Sequence, residues 1–397
     1  MRREFWLSAA EADQLAARQE TPFLVASVDR VEENYRFLRR HLPHAGVYYA
    51  IKANPEPAVL RRMAALGTHF DVASAGEMEM LAREGVTGDR MIYANTVKDF
   101  RGLRMARNIG LHRMTFDAVS EIGKMADYVP GADVLVRICV KNNKALVDLN
   151  TKFGAAPEDA LPLLRQARDA GLHPVGICFH VGSQSLSAAA YGEALLLARA
   201  LFDQAEREGL HLTDLDIGGG FPVPDAEGLS VDVAGMLEAI DRQIARLFPD
   251  LAVWCEPGRF IPGTAANLLT TVIGVRQLPS GTRMVTLDDG LYGALSGILF
   301  DHWQYPMRFL SERGGKNQVL TTLVGPSCDG IDVVARDILA PELMVGDHVL
   351  FGNIGAYASV SETRFNGFSM APTLIWEEQE EARQMADEPA IQKKQYR

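Results

Sequence analysis

Short apolar runs alternate with longer amphipathic segments from about residue 25 to residue 260, and this alternation constrains the fold more than any other feature. The repeat of ~30 residues predicts parallel strands joined by crossover helices. About eight such repeats, with no G-x-G-x-x-G motif at a helix start, favour an α/β fold of the (β/α)₈ barrel type over an open doubly wound sheet. The predicted strands are Gly46–Ala50, His69–Val72, Asp89–Tyr93, Arg113–Phe116, Ala132–Val140, Pro174–His180, Leu215–Ile217 and Ala252–Glu256.

The pattern changes after the last of these strands, where apolar runs follow one another without long helices between them. This change predicts a second, C-terminal β domain, either a sandwich or a small barrel. We expect residues 28–262 to form the barrel, and residues 1–27 with 263–397 to form the β domain, ending in a solvated tail of twenty residues. The predicted strands of the β domain are Thr21–Ser27, Leu268–Val275, Arg283–Leu287, Gln318–Leu323, His348–Phe351 and Thr373–Glu377.

Charge and cysteine content exclude several classes of protein. The 397 residues carry 40 Lys and Arg against 51 Asp and Glu, a net charge of −11 that argues against general nucleic-acid or membrane binding. The polar N-terminus lacks a signal peptide, and the longest uncharged stretch, Ala170–Gly192, is too polar to span a bilayer. Cys139, Cys178, Cys255 and Cys328 are too few for a disulfide framework, and with no C-x-x-C pair no metal site is predicted. We expect a cytoplasmic protein.

In a barrel of this type the reactive groups lie where strands end, so the strand ends are the candidate sites. Lys52 directly follows the first apolar run. An ammonium there is costly unless it is paired or reactive. Two interpretations remain open: a side chain that reaches the rim, or an amine that bonds covalently to a carbonyl compound.

Glycine and small polar residues follow the sixth and seventh strands. Gly218, Gly219 and Gly220 form either a tight turn or a backbone that approaches a ligand closely. Backbone amides around a phosphate are the commonest such case, and phosphate sites follow the seventh strand in barrels of this kind. His180 and Ser183 follow the sixth strand, where the histidine is either structural or part of an anion site.

Glu256 and Arg259 follow the eighth strand, as a surface ion pair or as two contacts to one ligand. With a phosphate at Arg259, Glu256 would face a ring nitrogen. A phosphate site, a reactive amine and a carboxylate for a pyridinium together indicate pyridoxal phosphate.

A series of motifs along nearly the whole chain resembles a known family, the fold-type III pyridoxal-phosphate decarboxylases with an alanine-racemase-like barrel. The motifs that carry this resemblance are Tyr49–Asn54, Phe70–Ser74, His180–Ser183, Gly218–Pro222 and Glu256–Arg259. Three others resemble ornithine decarboxylases in particular: Gly325–Gly330, Gly355–Tyr357 and Phe365–Phe368. The chain departs from the usual pattern at Ser327, where the family often has Thr, and within Tyr292–Asp301.

The resemblance implies roles for the matching residues. Lys52 would hold pyridoxal 5′-phosphate covalently, His180 would stack on its ring, and Glu256 would keep its ring nitrogen protonated. The other implied cofactor-binding residues are Asp71, Arg137, Ser183, Gly218, Gly219, Gly220, Gly258, Arg259 and Tyr357. Cys328 would protonate the α-carbon after carbon dioxide leaves. The implied substrate-binding residues are Asp301, Asp329 and Tyr292, of which the two aspartates would bind the distal ammonium.

The resemblance implies decarboxylation of a basic L-amino acid, foremost L-ornithine to putrescine in polyamine synthesis. It also implies a homodimer with shared active sites, in which Cys328 and Asp329 of the β domain reach the partner's Lys52. Lysine or another diamino acid is the main alternative substrate, and a non-catalytic homologue resembling antizyme inhibitors is the alternative to an enzyme. A racemase is disfavoured because Glu256 and Cys328 stand where racemases of this fold have an arginine and a tyrosine.

Overall fold

The computed structural model describes residues 4–140, 152–228, 231–311 and 318–387, and it divides into a barrel and a β domain. Helix α1 (Ala9–Ala16) and strand β1 (Phe23–Ala26) precede the barrel. Eight parallel strands then close on themselves in chain order. These strands are β2 (Ala45–Ala50), β3 (His69–Val72), β4 (Met91–Tyr93), β5 (Arg113–Phe116), β6 (Asp133–Ile138), β7 (His173–Phe179), β8 (Asp214–Asp216) and β9 (Ala252–Cys255). The predicted barrel is therefore confirmed, with every strand within two residues of its predicted ends.

The barrel helices cover the outside of the strands with their apolar faces. They are α2 (Val28–His41), α3 (Pro57–Ala65), α4 (Ala75–Arg83), α5 (Phe100–Ile109), α6 (Val119–Tyr128), α7 (Ala160–Asp169), α8 (Ala188–Arg207) and α9 (Val233–Leu247). Side-chain caps fix where several of them begin: Ser74 accepts from the Glu77 amide and Asp99 from the Gly102 amide. None of the described helices is long and apolar enough to cross a membrane.

The second domain is a mostly antiparallel sheet of eight strands. Besides β1 it contains β10 (Ala266–Gln277), β11 (Arg283–Leu287), β12 (Met307–Leu310), β13 (Gln318–Val324), β14 (Val333–Pro341), β15 (His348–Phe351) and β16 (Thr373–Ile375), with a short helix α10 (Gly297–Phe300). Strand β1 pairs with β10 and β16, which confirms the predicted N-terminal strand of this domain. Strands β12 and β14 were not predicted.

The C-terminal segment differs from its prediction. The strand predicted for Thr373–Glu377 ends at Ile375, and helix α11 (Trp376–Asp387) follows it directly. The Glu377 carboxylate accepts hydrogen bonds from the Ser27 hydroxyl (2.6 Å) and from the Asp29 amide (3.0 Å), which ties the start of α11 to the start of α2. The first half of the predicted solvated tail, residues 378–387, is therefore helical, and residues 388–397 lie outside the described residues.

Candidate active site

A cavity of about 660 Å³ lies at the C-terminal ends of the barrel strands. Nine of the residues predicted to bind the cofactor line it: Lys52, Arg137, His180, Ser183, Gly220, Glu256, Gly258, Arg259 and Tyr357. All but Tyr357 come from the ends of barrel strands or the loops after them, and Tyr357 comes from the β domain. The fold thus brings together groups as far apart in the sequence as Lys52 and Tyr357.

Lys52 lies in the single turn Ile51–Ala53 that directly follows β2. Its Nζ forms an ion pair with Asp71, which is 1% exposed at the end of the neighbouring strand β3. Burial opposes the charged form of Lys52, but the carboxylates of Asp71 and Glu256 outweigh that effect and raise the pKa of the amine. The side chain is still 46% exposed toward the cavity, so the amine is both positioned and accessible.

The imidazole of His180 is neutral. Burial, together with the cations of Arg137 and Lys52, lowers the pKa of His180 to about 3. The Gly182 amide donates to Nδ1 at 2.9 Å, so in the neutral ring the proton is on Nε2. His180 therefore offers an uncharged flat surface to the cavity.

The three glycines after β8 are required by the close approach of neighbouring loops. A Cβ on Gly218 would collide with the Phe179 carbonyl, and one on Gly220 with the Gly182 carbonyl. A Cβ on Gly219 would overlap the Glu256 carbonyl and lie 3.3 Å from His180 Nε2. Gly218 and Gly220 also have positive φ values, 66° and 99°, that favour glycine. Only glycine, which has no Cβ, allows the backbone to pass between the loops that follow β7 and β9.

Two carboxyl groups are buried together under the cavity. Asp216 is fully buried, and one of its oxygens accepts the Gly218 amide at 2.8 Å. Burial raises the pKa of Asp216 to about 6, and burial together with the neighbouring Asp216 raises the pKa of Glu256 well above its usual value. The two carboxyls therefore share a proton near neutral pH, and a Glu256 carboxylate that is this basic would favour the proton on a ring nitrogen hydrogen-bonded to it.

Arg259 is 8% exposed, and its guanidinium carbon lies 4.5 Å from the ring centre of Trp303 and 4.9 Å from that of Tyr357. Its side chain is paired with Asp301. Asp301 was predicted to bind the substrate ammonium, and here it contacts the arginine predicted to bind the phosphate. The Tyr357 amide donates to the Ala53 carbonyl at 2.8 Å, which seats this loop of the β domain beside the turn that carries Lys52.

Cys328, Asp329 and Tyr292 are not among the described residues that line the cavity. They form a separate unit on the β domain, in which the Tyr292 hydroxyl donates to Asp329 at 2.6 Å and lowers the pKa of that carboxyl. The Cys328 amide donates to Asn366 at 3.0 Å, and its thiol is exposed. Within one chain, these three residues are not brought to Lys52.

Comparison with known proteins places the site in a family. Residues 28–263 match the model of the pyridoxal-dependent decarboxylases, pyridoxal binding domain. The chain belongs to this family. It is 62% identical over 393 residues, 99% of each chain, to the lysine/ornithine decarboxylase of Selenomonas ruminantium.

Two solved structures of the pyridoxal-dependent decarboxylases superpose closely. A lysine decarboxylase from Selenomonas ruminantium gives a TM-score of 0.92 at 63% identity, over 97% of this chain and 100% of that one. A lysine/ornithine decarboxylase from Vibrio vulnificus complexed with cadaverine gives a TM-score of 0.86 at 34% identity, over 93% and 99%. This chain is therefore a pyridoxal-phosphate-dependent carboxy-lyase for basic amino acids, and the prediction of an enzyme is confirmed over a non-catalytic homologue.

The residues of this decarboxylase fit the cofactor. Two buried polar atoms at the cavity have no hydrogen-bond partner within the described part of the chain: Asp71 Oδ1 and Arg137 Nη2. Unpaired buried polar groups are costly, so their grouping at one cavity indicates a polar ligand. The amine, the neutral imidazole, the basic carboxylate of Glu256 and the arginine match the aldehyde, ring, ring nitrogen and phosphate of pyridoxal phosphate.

The sequence reasoning missed ten further residues that line the cavity, among them Asn95, Lys152, Phe153 and Gln184. Reading every strand end would have found Asn95, which follows β4 by two residues. Phe153 lies under the Arg137 guanidinium, with 5.0 Å between the guanidinium carbon and the ring centre. Its segment returns to the end of β6 through the hydrogen bond from the Cys139 amide to the Ala155 carbonyl, and no sequence pattern indicates that return.

Proposed function

We propose that this enzyme decarboxylates L-lysine and L-ornithine, with lysine as the preferred substrate. The observation that carries the proposal is the 62% identity over 99% of both chains to a lysine/ornithine decarboxylase. The sequence motifs placed ornithine first and lysine second, and this similarity reverses the order. Structures of the Vibrio relative with cadaverine and with putrescine support a site that accepts both chain lengths.

The residues that line the cavity, or contact those that do, have different roles in the reaction. Pyridoxal phosphate supplies an acceptor for the electron pair released when the carboxyl group leaves as carbon dioxide. Lys52 would hold the cofactor covalently, and Asp71, paired with its Nζ, stabilises the protonated amine. Glu256, beside Asp216, would accept the hydrogen bond of the protonated ring nitrogen, while neutral His180 would contact the ring without adding charge. Ser183, Gly220, Gly258 and Arg259 would bind the phosphate.

We also propose that the enzyme is a homodimer in which the β domain of one chain completes the active site of the other. Asp329 would bind the distal ammonium of the substrate, a buried charge that needs a carboxylate partner, and Cys328 would deliver the proton to the α-carbon. Exposed apolar side chains at both places support this arrangement. Near the cavity mouth they are Val97, Phe100 and Val119, and around the Cys328 loop they are Ile331, Phe365, Phe368 and Met370.

A cytoplasmic location remains part of the proposal. Cys178, Cys255 and Cys328 are free thiols, as expected in a reducing compartment. Fractionation of cells that express the full chain tests it, and recovery with membranes would contradict it.

A substrate panel tests the specificity. Lysine and ornithine differ by one methylene, which a pocket distinguishes by only about 1–3 kcal/mol, or roughly 10–200-fold. We expect carbon dioxide release from both, with the higher kcat/KM for lysine. A higher kcat/KM for ornithine would restore the order that the motifs favoured, and turnover of neither would refute the proposal.

Mixing two inactive variants tests the shared site. Lys52→Ala and Cys328→Ala each damage one half of the site, and a mixed dimer contains one intact pair. Random exchange of subunits makes half of the dimers mixed, so activity should recover to about a quarter of wild type. No recovery, with exchange proven by differently tagged chains, would contradict the shared site.

A further inference from the structure

Gln184 has a backbone conformation that ordinarily favours glycine. Its φ is 53°, in the left-handed region, although it is neither glycine nor asparagine. The residue is only 9% exposed, and its side-chain amide contacts the backbone of one residue. Nε2 donates to the Val223 carbonyl and Oε1 accepts from the Val223 amide, both at 2.9 Å. The strained backbone is thus coupled to a two-point contact that a glycine could not make.

Val223 is the last residue of the loop Gly218–Val223 and lies three residues after Gly220. The Gln184 contact therefore holds the C-terminal end of that loop. The inner end is held by the Ser185 amide, which donates to the Gly220 carbonyl at 2.9 Å. The loop after β7 and the loop after β8 therefore run side by side. Ser183 of the first loop and Gly220 of the second both line the cavity between these two attachments.

The β domain holds the same loop from the other side. Asn353 is 1% exposed and also has a left-handed φ of 54°. Its Nδ2 donates to the Pro224 carbonyl at 2.9 Å and to the Glu4 carboxylate at 3.0 Å. Two side-chain amides, one from each domain, thus bind adjacent residues at the end of the glycine loop.

We propose that Gln184 is a positioning residue that holds the Gly218–Val223 loop in the geometry that binds the cofactor phosphate. Three consecutive glycines leave a backbone with many accessible conformations, and the free energy of restricting them reduces ligand affinity unless other contacts restrict them first. Affinity falls in proportion to the fraction of molecules whose loop is competent to bind. The inference rests on the proposed placement of the phosphate between Ser183 and Gly220.

Gln184→Gly is the informative variant, because it removes both hydrogen bonds while the backbone conformation becomes easier to adopt. Asp337→Gly is the matched control, since Asp337 is an exposed left-handed residue (φ 52°) on β14. The measurements are the melting temperature of the apoprotein and the dissociation constants of pyridoxal phosphate and of pyridoxal, which lacks the phosphate. Gln184→Glu keeps the side-chain size but cannot donate to the Val223 carbonyl when ionised, and it serves as a second variant.

We expect Gln184→Gly to weaken pyridoxal phosphate binding roughly tenfold, as expected for two ordinary hydrogen bonds that act partly on the loop. Pyridoxal binding and the apoprotein melting temperature should match those of wild type, and Asp337→Gly should leave both dissociation constants unchanged. Gln184→Glu should weaken pyridoxal phosphate binding in the same direction. The ³¹P resonance of the bound phosphate should shift in both Gln184 variants.

Unchanged affinity for pyridoxal phosphate in both Gln184 variants would overturn the inference. So would an equal loss of pyridoxal binding or a large fall in the apoprotein melting temperature, because these would mark a merely structural residue. If wild type itself bound pyridoxal as tightly as pyridoxal phosphate, the proposed phosphate placement would fail together with the inference.

Discussion

The buried amine of Lys98 provides a quantitative test of how burial in the barrel changes a pKa and, through it, the free energy of unfolding. It lies in the loop between β4 and α5 and is 2% exposed, and its Nζ donates to the Asn95 carbonyl at 2.6 Å and to the Thr115 carbonyl. Burial lowers the pKa of this amine to about 7, and the nearby Glu121 offsets the effect only in part. A neutral amine has two N–H groups, which matches the two carbonyls that it contacts.

The direction of the pH effect follows from the two states. In the unfolded chain a lysine titrates near 10.4, so between pH 7 and that value the unfolded state binds more protons than the folded state. The free energy of unfolding therefore rises with pH over this window. With a folded pKa of about 7, the contribution of Lys98 increases by about 2 kcal/mol between pH 7 and pH 9.

Urea unfolding of wild type and Lys98→Met at pH 7, 8 and 9 measures this contribution. Other groups titrate alike in both proteins, so the difference between the two unfolding free energies isolates Lys98. That difference should shift by about 2 kcal/mol in favour of wild type as the pH rises. A difference that stays constant, or shifts the other way, would show that the folded protein keeps Lys98 charged and would refute the reasoning.

Three further predictions concern the site. Lys52→Ala should lose the visible absorbance of the bound cofactor and several orders of magnitude in decarboxylation rate, and full activity would contradict its assignment. Gly219→Ala should lower the free energy of unfolding by about 1–3 kcal/mol, because its Cβ meets backbone. Its control, Gly123→Ala on α6, has no described atom within 4 Å and should stabilise by about 1 kcal/mol in the same denaturation assay. Asp329→Ala should raise KM for lysine while cofactor retention stays unchanged, and an unaltered KM would exclude it from the substrate site.

The sequence predicted the barrel well because its strands are buried on both faces and read as short apolar runs at a regular spacing. Strand ends then located Lys52, His180 and Glu256 without knowledge of the packing. Strand β14 escaped detection because Arg336 and Asp337 interrupt its apolar pattern at the edge of the sheet.

Contacts between distant segments account for the rest of what was missed. The pairing of Arg259 with Asp301 depends on how the β domain packs against the barrel. No sequence pattern predicts that these two residues are in contact. Asp216 lies two residues before the three glycines in the sequence. Its role could not be predicted, because only its burial beside Glu256 shows that the two carboxyls share a proton.

The pairing of β1 with β10 has a consequence for synthesis of the chain. Phe23, Leu24, Val25 and Ala26 are all buried in the finished sheet, where β1 pairs with Ala266–Leu269. Their partners are translated about 240 residues later, which at 5–20 residues per second is roughly 12–50 s. During that interval β1 is an apolar segment without a sheet partner, because even β9, the last barrel strand, is completed only eleven residues before Ala266. Newly made chains should therefore depend on chaperones that bind extended apolar segments.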